Sequence, residues 1–238
     1  MTKLVLLPGM DGSGQLFQDL IRALPARLET ITVRYPGDTY LGHSDLVELV
    51  RHHAQAAGPF LLVAESFSTP LAIQYAATNP PNLKGVVLCA GFASSPVRGS
   101  RRLAVRWFAP ILFRISAPDF AVRRWLVGAD APQTLVRAVK ASIATARSQV
   151  LVQRARELLT CDVRDELRRV SVPILYLQPS TDRLVSAACG EEMQAIRPDI
   201  RAVAIDGPHL LFQREPAKSA RAITAFADQV VRAAGDSE

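Results

Sequence analysis

The chain has 238 residues, of which 49% are hydrophobic and 21% are charged, and its net charge is +6. This length accommodates one sizeable core, or one core with an inserted cap. The first apolar run, residues 4–7, is too short for the core of a signal peptide and far too short to cross a bilayer. We therefore expect a cytoplasmic protein without a membrane span.

Strand and helix patterns alternate over the first hundred residues and again from about residue 174 onwards. Short, apolar and often β-branched runs predict strands at 3–7, 29–34, 60–64, 84–89, 174–177 and 200–205. Periodic patterns predict helices at about 15–23, 44–57, 67–78, 187–196 and 215–233. This alternation indicates an α/β fold, in which helices cover both faces of a mostly parallel sheet. Active sites in such sheets form at the carboxyl ends of the strands.

The middle of the chain interrupts the alternation. Four helical segments follow one another there without a clear strand, around 98–108, 118–127, 132–147 and 148–159. We predict a helical cap over residues 93–160, inserted between two strands of a core that residues 1–92 and 161–238 form.

Positive charge is concentrated in the same region. Residues 98–169 carry fifteen lysines and arginines against six acidic residues, a net of +9, whereas the rest of the chain carries −3. A basic face attracts acidic partners, but a solvated helical surface explains the charge equally well. Lysine is nearly absent from the cap and no binding motif accompanies its arginines, so we expect no nucleic acid as partner.

The three cysteines, Cys89, Cys161 and Cys189, are odd in number and far apart, with no C-x-x-C pair. This spacing argues against a disulfide framework and against a zinc site. We expect small buried apolar residues at all three positions.

Ser66 ends an apolar run and has a small residue two positions away on each side, Ala64 and Ser68. A serine on a sharp strand-to-helix turn needs small neighbours there, because larger side chains would collide. Such a turn holds the hydroxyl above the sheet, where a base can reach it. The pattern predicts that Ser66 is a nucleophile.

A serine hydroxyl needs a base to accept its proton, and the base needs a carboxylate to orient it. Asp182 follows the predicted strand 174–177 and His209 follows the strand at 200–205, so all three groups meet at one edge of the sheet. The order Ser66, Asp182, His209 is that of an α/β-hydrolase triad. Simpler roles, at helix starts or turns, account for Asp162, Asp165 and Asp206.

The glycine-rich loop after the first strand, residues 8–14, predicts an oxyanion hole. Its glycines let the backbone turn towards the nucleophile. The N–H groups of Met10 and Phe67 would receive the developing negative charge. A phosphate-binding loop is the weaker alternative, since the loop has neither G-x-G-x-x-G nor a Walker lysine.

Together these pieces resemble the α/β-hydrolase family over nearly the whole chain: LLPGMDG at 6–12, AESFS at 64–68, PILY at 173–176, DRLV at 182–185 and GPH at 207–209. The resemblance implies a compact sheet of about six strands and a serine hydrolase. The PGxDG segment also resembles acyltransferase-like hydrolases, which move fatty acyl groups to alcohols.

Within the family, the small size, the short cap and the segments 157–164 and 170–173 are similar to pimeloyl-acyl-carrier-protein methyl ester esterases of biotin synthesis. In that group, arginines on the cap engage the acidic carrier protein. The resemblance implies this role for basic residues on the cap helices, with the candidates Arg137, Lys140, Arg147 and Arg154. Apolar cap residues would line the acyl chain or simply pack cap to core, with the candidates Trp107, Phe113 and Trp125.

We therefore expect a serine carboxylic-ester hydrolase that acts through an acyl-enzyme, with the methyl ester of a pimeloyl-type chain on acyl carrier protein as substrate. A thioesterase or an acyltransferase would differ only in leaving group or acceptor, because the pocket and not the triad decides between them. From a different class, a non-catalytic protein of the same fold could hold a small molecule under the cap. The expected chemistry needs no metal ion and no organic cofactor.

Overall fold

A computed structural model describes residues 2–55, 57–97, 99 and 101–235. Its strands are β1 Lys3–Leu7, β2 Thr30–Thr32, β3 Phe60–Glu65, β4 Leu83–Cys89, β5 Ile174–Pro179 and β6 Arg201–Ile205. The helices before β5 are α1 Gln18–Ala23, α2 His43–Gln55, α3 Thr69–Ala76, α4 Arg101–Leu112, α5 Asp119–Val122, α6 Gln133–Ala144, α7 Ser148–Thr160 and α8 Arg164–Arg169. Those after β5 are α9 Ala187–Ile196, α10 Leu211–Arg214 and α11 Pro216–Gly235.

The six strands form one sheet in the order β2-β1-β3-β4-β5-β6, and every neighbouring pair is parallel. The predicted α/β sheet of about six strands is therefore confirmed. β1 lies second from one edge of the sheet. From β1 the chain passes outwards to the edge strand β2 and then returns to the other side of β1. The order reverses between β1 and β3, and such a reversal opens a crevice at the carboxyl ends of the strands.

Side chains alternate between the two faces of the sheet because successive residues of a strand point in opposite directions. Val5 and Leu62 pack on the face that α2, α3, α8 and α9 cover. Leu4 and Leu61 pack on the opposite face, against α1 and α11. Both faces are apolar, which explains why the strands read as nearly continuous hydrophobic runs rather than as alternating ones.

The helical segment between β4 and β5 is closed at its base by backbone hydrogen bonds. Ser95 N–H donates to the Cys161 carbonyl at 2.9 Å, and Val163 N–H donates to the Ala93 carbonyl at 2.7 Å. Ser94 and Asp162 form an isolated antiparallel bridge between them. We refer to residues 93–160, the predicted cap, as the cap segment.

Cys89, Cys161 and Cys189 are all buried, which confirms the prediction of small buried residues at these positions. Within the described ranges, no helix combines the length and the apolar character that crossing a bilayer requires.

Candidate active site

Ser66 lies on a tight turn between β3 and α3. Its φ angle is 52°, in the left-handed region that residues with a side chain rarely adopt. Ala64 and Ser68 are both completely buried beside it, as the small-residue pattern requires. Backbone strain of this kind costs about 1–3 kcal/mol and persists where the surrounding structure enforces it. The turn leaves Ser66 partly exposed while its neighbours on both sides are buried.

The structure brings Ser66, His209 and Asp182 into one hydrogen-bonded chain. Ser66 Oγ lies 2.9 Å from His209 Nε2, and His209 Nδ1 lies 2.7 Å from Asp182 Oδ2. The side chains of His209 and Asp182 expose only 4% and 3% of their surface. A hydrogen bond is electrostatically stronger in such a water-poor position than at the surface.

The loop that follows β5 holds the Asp182 carboxylate. Its Oδ1 accepts hydrogen bonds from the backbone N–H groups of Leu184 at 2.8 Å and Val185 at 3.0 Å. One carboxylate oxygen is thus committed to the backbone and the other faces the imidazole. This arrangement fixes the orientation of the His209 ring, whose Nδ1 must carry the proton to donate to Asp182.

The loop after β1 lies beside the Ser66 turn because β1 pairs with β3 up to its own last residue, Leu7, which lies opposite Ala64. Within the described part of the chain, the N–H of Met10 has no acceptor in the protein. Gly12 N–H closes the turn onto the Gly9 carbonyl at 3.1 Å. An unpaired backbone N–H at this edge is available to a ligand oxygen.

A second serine ties this loop to the nucleophile turn. Ser68 Oγ donates a short hydrogen bond to the Pro8 carbonyl and accepts one from the Tyr35 hydroxyl at 2.6 Å. Burial raises the pKa of Tyr35, so its hydroxyl stays a neutral donor. The sequence identifies Ser68 only as a small residue in place of glycine. The structure shows that its hydroxyl also joins the loop after β1 to Tyr35 through two hydrogen bonds.

Glu65, the residue before Ser66, is buried behind the turn. Its Oε2 accepts a long hydrogen bond of 3.4 Å from Gln213 Nε2. Among the described residues, Glu65 Oε1 and Gln213 Oε1 are both buried acceptors without a donor. Burial raises the pKa of Glu65 from 4.5 to about 7, although the nearby His209 lowers it. Burial therefore favours the neutral, protonated form of Glu65.

The three predicted acyl-lining residues differ in how exposed they are. Phe113 is partly buried and packs with Met10 against Ala109, Val152 and Ala155. Trp107 exposes 70% of its surface and Trp125 exposes 39%, and the Trp125 ring lies 5.3 Å from the Arg124 guanidinium. Contact with an acyl chain stays a prediction for all three.

The four predicted carrier-protein contacts also differ in their exposure and pairing. Arg137 and Arg147 are exposed, whereas the Lys140 ammonium pairs with Asp119 at 2.7 Å. The prediction for Arg154 is wrong, because this residue is completely buried and cannot touch a partner. Helical periodicity placed it on α7 but could not show which side of α7 faces the core.

The model of the alpha/beta hydrolase family matches residues 4–222. This chain belongs to the alpha/beta hydrolase family.

Solved structures of hydrolases and esterases share the fold. A thermophilic esterase from Thermogutta terrifontis is 17% identical, with a TM-score of 0.82, 97% of this chain and 90% of that chain covered. A carboxylesterase structure from Nitrososphaera gargenis is 16% identical, with a TM-score of 0.81, and the match covers 97% of this chain and 91% of that chain. A hydrolase from Oleispira antarctica is 14% identical, with a TM-score of 0.78 and coverage of 95% and 90%. At identities this low, the structural similarity shows a common fold and nothing about the reaction.

One curated relative is the polyketide synthase ThaQ of Burkholderia thailandensis. It is 27% identical over 98% of this chain. The chain spans only 12% of that relative's length.

Glu65 gives a testable effect of pH on stability. Because its pKa is higher in the folded protein than the ordinary value of 4.5, ionisation of Glu65 opposes folding. The stabilising contribution of the neutral acid is present below about pH 4.5 and is lost as the pH rises through about 7. Glu65→Gln cannot ionise, so it should not lose this contribution. The free energy of unfolding of the wild type should therefore fall by up to about 3 kcal/mol relative to that of Glu65→Gln as the pH rises from 4.5 to 8.

Urea unfolding of both proteins across this pH range measures the difference. Glu191→Gln, on the exposed surface of α9, is the matched control and should follow the wild type. A difference between wild type and Glu65→Gln that stays constant from pH 4.5 to 8 would show that Glu65 does not titrate in this range.

Proposed function

We propose that this protein is a serine hydrolase that cleaves carboxylic esters through an acyl-enzyme. The observation that carries the proposal is the hydrogen-bonded chain from Ser66 through His209 to Asp182, at 2.9 Å and 2.7 Å. Membership of the alpha/beta hydrolase family supports hydrolase activity. The strained, partly exposed position of Ser66 supports its assignment as the nucleophile.

The proposed reaction begins when His209 Nε2 takes the proton of the Ser66 hydroxyl. Ser66 Oγ attacks the ester carbonyl carbon, and the carbonyl oxygen becomes an oxyanion that the N–H groups of Met10 and Phe67 receive. The tetrahedral intermediate collapses, the ester C–O bond breaks, and the leaving alcohol takes the proton from His209. Asp182 stabilises the imidazolium that exists between these two proton transfers.

Water then repeats the sequence on the acyl-enzyme. His209 takes a proton from the water, the hydroxide oxygen attacks the acyl carbon, and the bond to Ser66 Oγ breaks. The proton returns through His209 to Ser66, and the carboxylic acid leaves. Every step uses side chains and backbone groups of the protein itself.

The proposed substrate is an ester on a pimeloyl-type acyl chain that acyl carrier protein delivers. The support is the charge of the cap segment, where exposed arginines include Arg106, Arg114, Arg124, Arg137 and Arg147. Two cap acids are engaged with basic partners, since Asp119 pairs with Lys140 and Asp130 pairs with Arg214. The first pair lies within the segment and leaves its net charge unchanged, and the second uses an arginine of the core. The exposed arginines therefore dominate the surface charge of the segment, which suits an acidic partner.

A thioester is the second candidate substrate. The sequence relative named as a polyketide synthase favours it, because a polyketide is itself an acyl chain. The same triad would serve, with a thiol in place of the alcohol as leaving group.

Replacement of the nucleophile tests the reaction. Wild type should release p-nitrophenol from a short p-nitrophenyl ester with an initial burst, and a fluorophosphonate should label Ser66. Ser66→Ala should lose turnover by about a thousandfold or more and lose the label, since the remaining groups only bind and polarise the ester. Ser116→Ala, at an exposed position of the cap segment, is the matched control and should keep the label.

A wild-type protein that neither turns over esters nor reacts at Ser66 would instead be a binding protein of this fold. Comparing oxygen esters and thioesters of equal acyl length then assigns the leaving group by the ratio of their kcat/KM values.

Charge reversal tests the partner. Arg137→Glu combined with Arg147→Glu should raise KM for a carrier-bound ester by about tenfold or more while leaving hydrolysis of a free short ester unchanged, because the two residues lie on the exposed cap. Arg221→Glu combined with Arg232→Glu makes the same charge change on the exposed side of α11 and should affect neither substrate. Equal KM values for the carrier-bound ester in both double variants would show that the arginines of the cap segment have no special role in binding the carrier.

A further inference from the structure

Arg154 is the largest side chain among those that the structure buries completely. Long charged side chains are almost never buried without a paired carboxylate. In the described part of the chain, the guanidinium of Arg154 forms no salt bridge. It donates instead to three backbone carbonyls: from Nη1 to Met10 at 2.8 Å and to Asp11 at 3.1 Å, and from Nη2 to Pro36 at 2.9 Å.

Two of these carbonyls belong to the loop that presents the Met10 N–H. Arg154 projects from α7 in the cap segment. One residue of the cap segment therefore holds the backbone of the loop after β1. The guanidinium fork makes both contacts from a single planar group, which restricts the rotation of the peptide units on either side of Asp11.

The loop is shaped to receive this side chain. Gly12 has a φ angle of 75°, and a Cβ atom there would lie 2.7 Å from Arg154 Nη1 and 2.9 Å from Tyr35 Cβ. No residue other than glycine fits between the two. The Gly12 carbonyl accepts from the Tyr35 N–H at 2.8 Å, and the Arg154 guanidinium lies 5.6 Å from the centre of the Tyr35 ring.

Tyr35 carries the connection on to the nucleophile turn through Ser68, which in turn bonds the Pro8 carbonyl. The loop is also held through the Asp11 side chain, because Asp11 Oδ2 accepts from Ser142 Oγ of α6 at 2.8 Å. Two helices of the cap segment thus hold Met10 and Asp11, while Ser68 holds Pro8.

We propose that Arg154 is a positioning residue that fixes the Met10–Gly12 loop, and with it the Met10 N–H, at the distance from Ser66 that oxyanion binding requires. The inference rests on the proposed ester hydrolysis. It makes the cap segment part of the catalytic apparatus as well as a surface for substrate delivery.

The test compares Arg154→Met, Arg154→Lys and the wild type. Methionine fills a similar space but leaves three carbonyls without a donor, while lysine keeps the charge and part of the hydrogen bonding without the planar fork. Arg156→Met, on an exposed position of the same helix, is the matched control. Fluorophosphonate titration counts the competent sites in each preparation, so that kcat is expressed per reactive Ser66 and a partly unfolded sample does not lower it.

Arg154→Met should lower kcat per titrated site by about tenfold to a hundredfold, less than the loss of a complete oxyanion donor, with KM changed by less than about threefold. Arg154→Lys should recover part of the loss, and Arg156→Met should match the wild type. Wild-type kcat per titrated site in Arg154→Met, with only a lower melting temperature, would reduce Arg154 to a role in stability and overturn the proposal.

Amide hydrogen exchange tests the loop without any turnover. In Arg154→Met, the amides of Gly12 and Tyr35 should exchange at least tenfold faster, while those of β3 keep their wild-type rates. Unchanged exchange at both amides contradicts the proposal. If wild type shows no esterase activity, the proposed function fails and no oxyanion remains to be positioned, yet exchange still shows whether Arg154 holds the loop.

Discussion

The pairing of β1 with β3 is the constraint on which the rest of the structure depends. It places the end of one strand, and the loop after it, beside the strained turn at Ser66. Backbone strain at Ser66 costs about 1–3 kcal/mol, which the packing of two buried small residues and the apolar sheet beneath them must outweigh. The turn aligns the Ser66 hydroxyl with His209, and the loop beside it presents the Met10 N–H, which has no acceptor among the described residues.

The parts of this site that regular backbone structure positions are predictable from the sequence. Ser66, Asp182 and His209 each follow a strand, and in a parallel sheet all such ends meet at one edge, so their proximity follows from strand assignment alone. The roles of Ser68 and Arg154 depend on long-range side-chain contacts instead. No local pattern distinguishes a serine that bonds the Pro8 carbonyl from one that is merely small, or a buried arginine on α7 from an exposed one such as Arg156.

The cap segment contacts the core more closely than a separate lid requires. Arg154 and Ser142 hold the loop after β1, and the Leu126 carbonyl accepts the N–H of Leu210, next to His209, at 2.9 Å. The cap therefore touches the loops on both sides of Ser66. Its inner side positions backbone groups of the site, while its outer side carries the exposed arginines proposed to meet an acidic carrier.

The central claim is that Ser66 carries the acyl group during turnover. Acid quenching during the burst with a p-nitrophenyl ester, followed by peptide mass mapping, measures this directly. We expect the mass of the acyl group on the peptide that contains Ser66, in an amount equal to the burst. An acyl group on a different residue, or a burst without any acylated peptide, would contradict it.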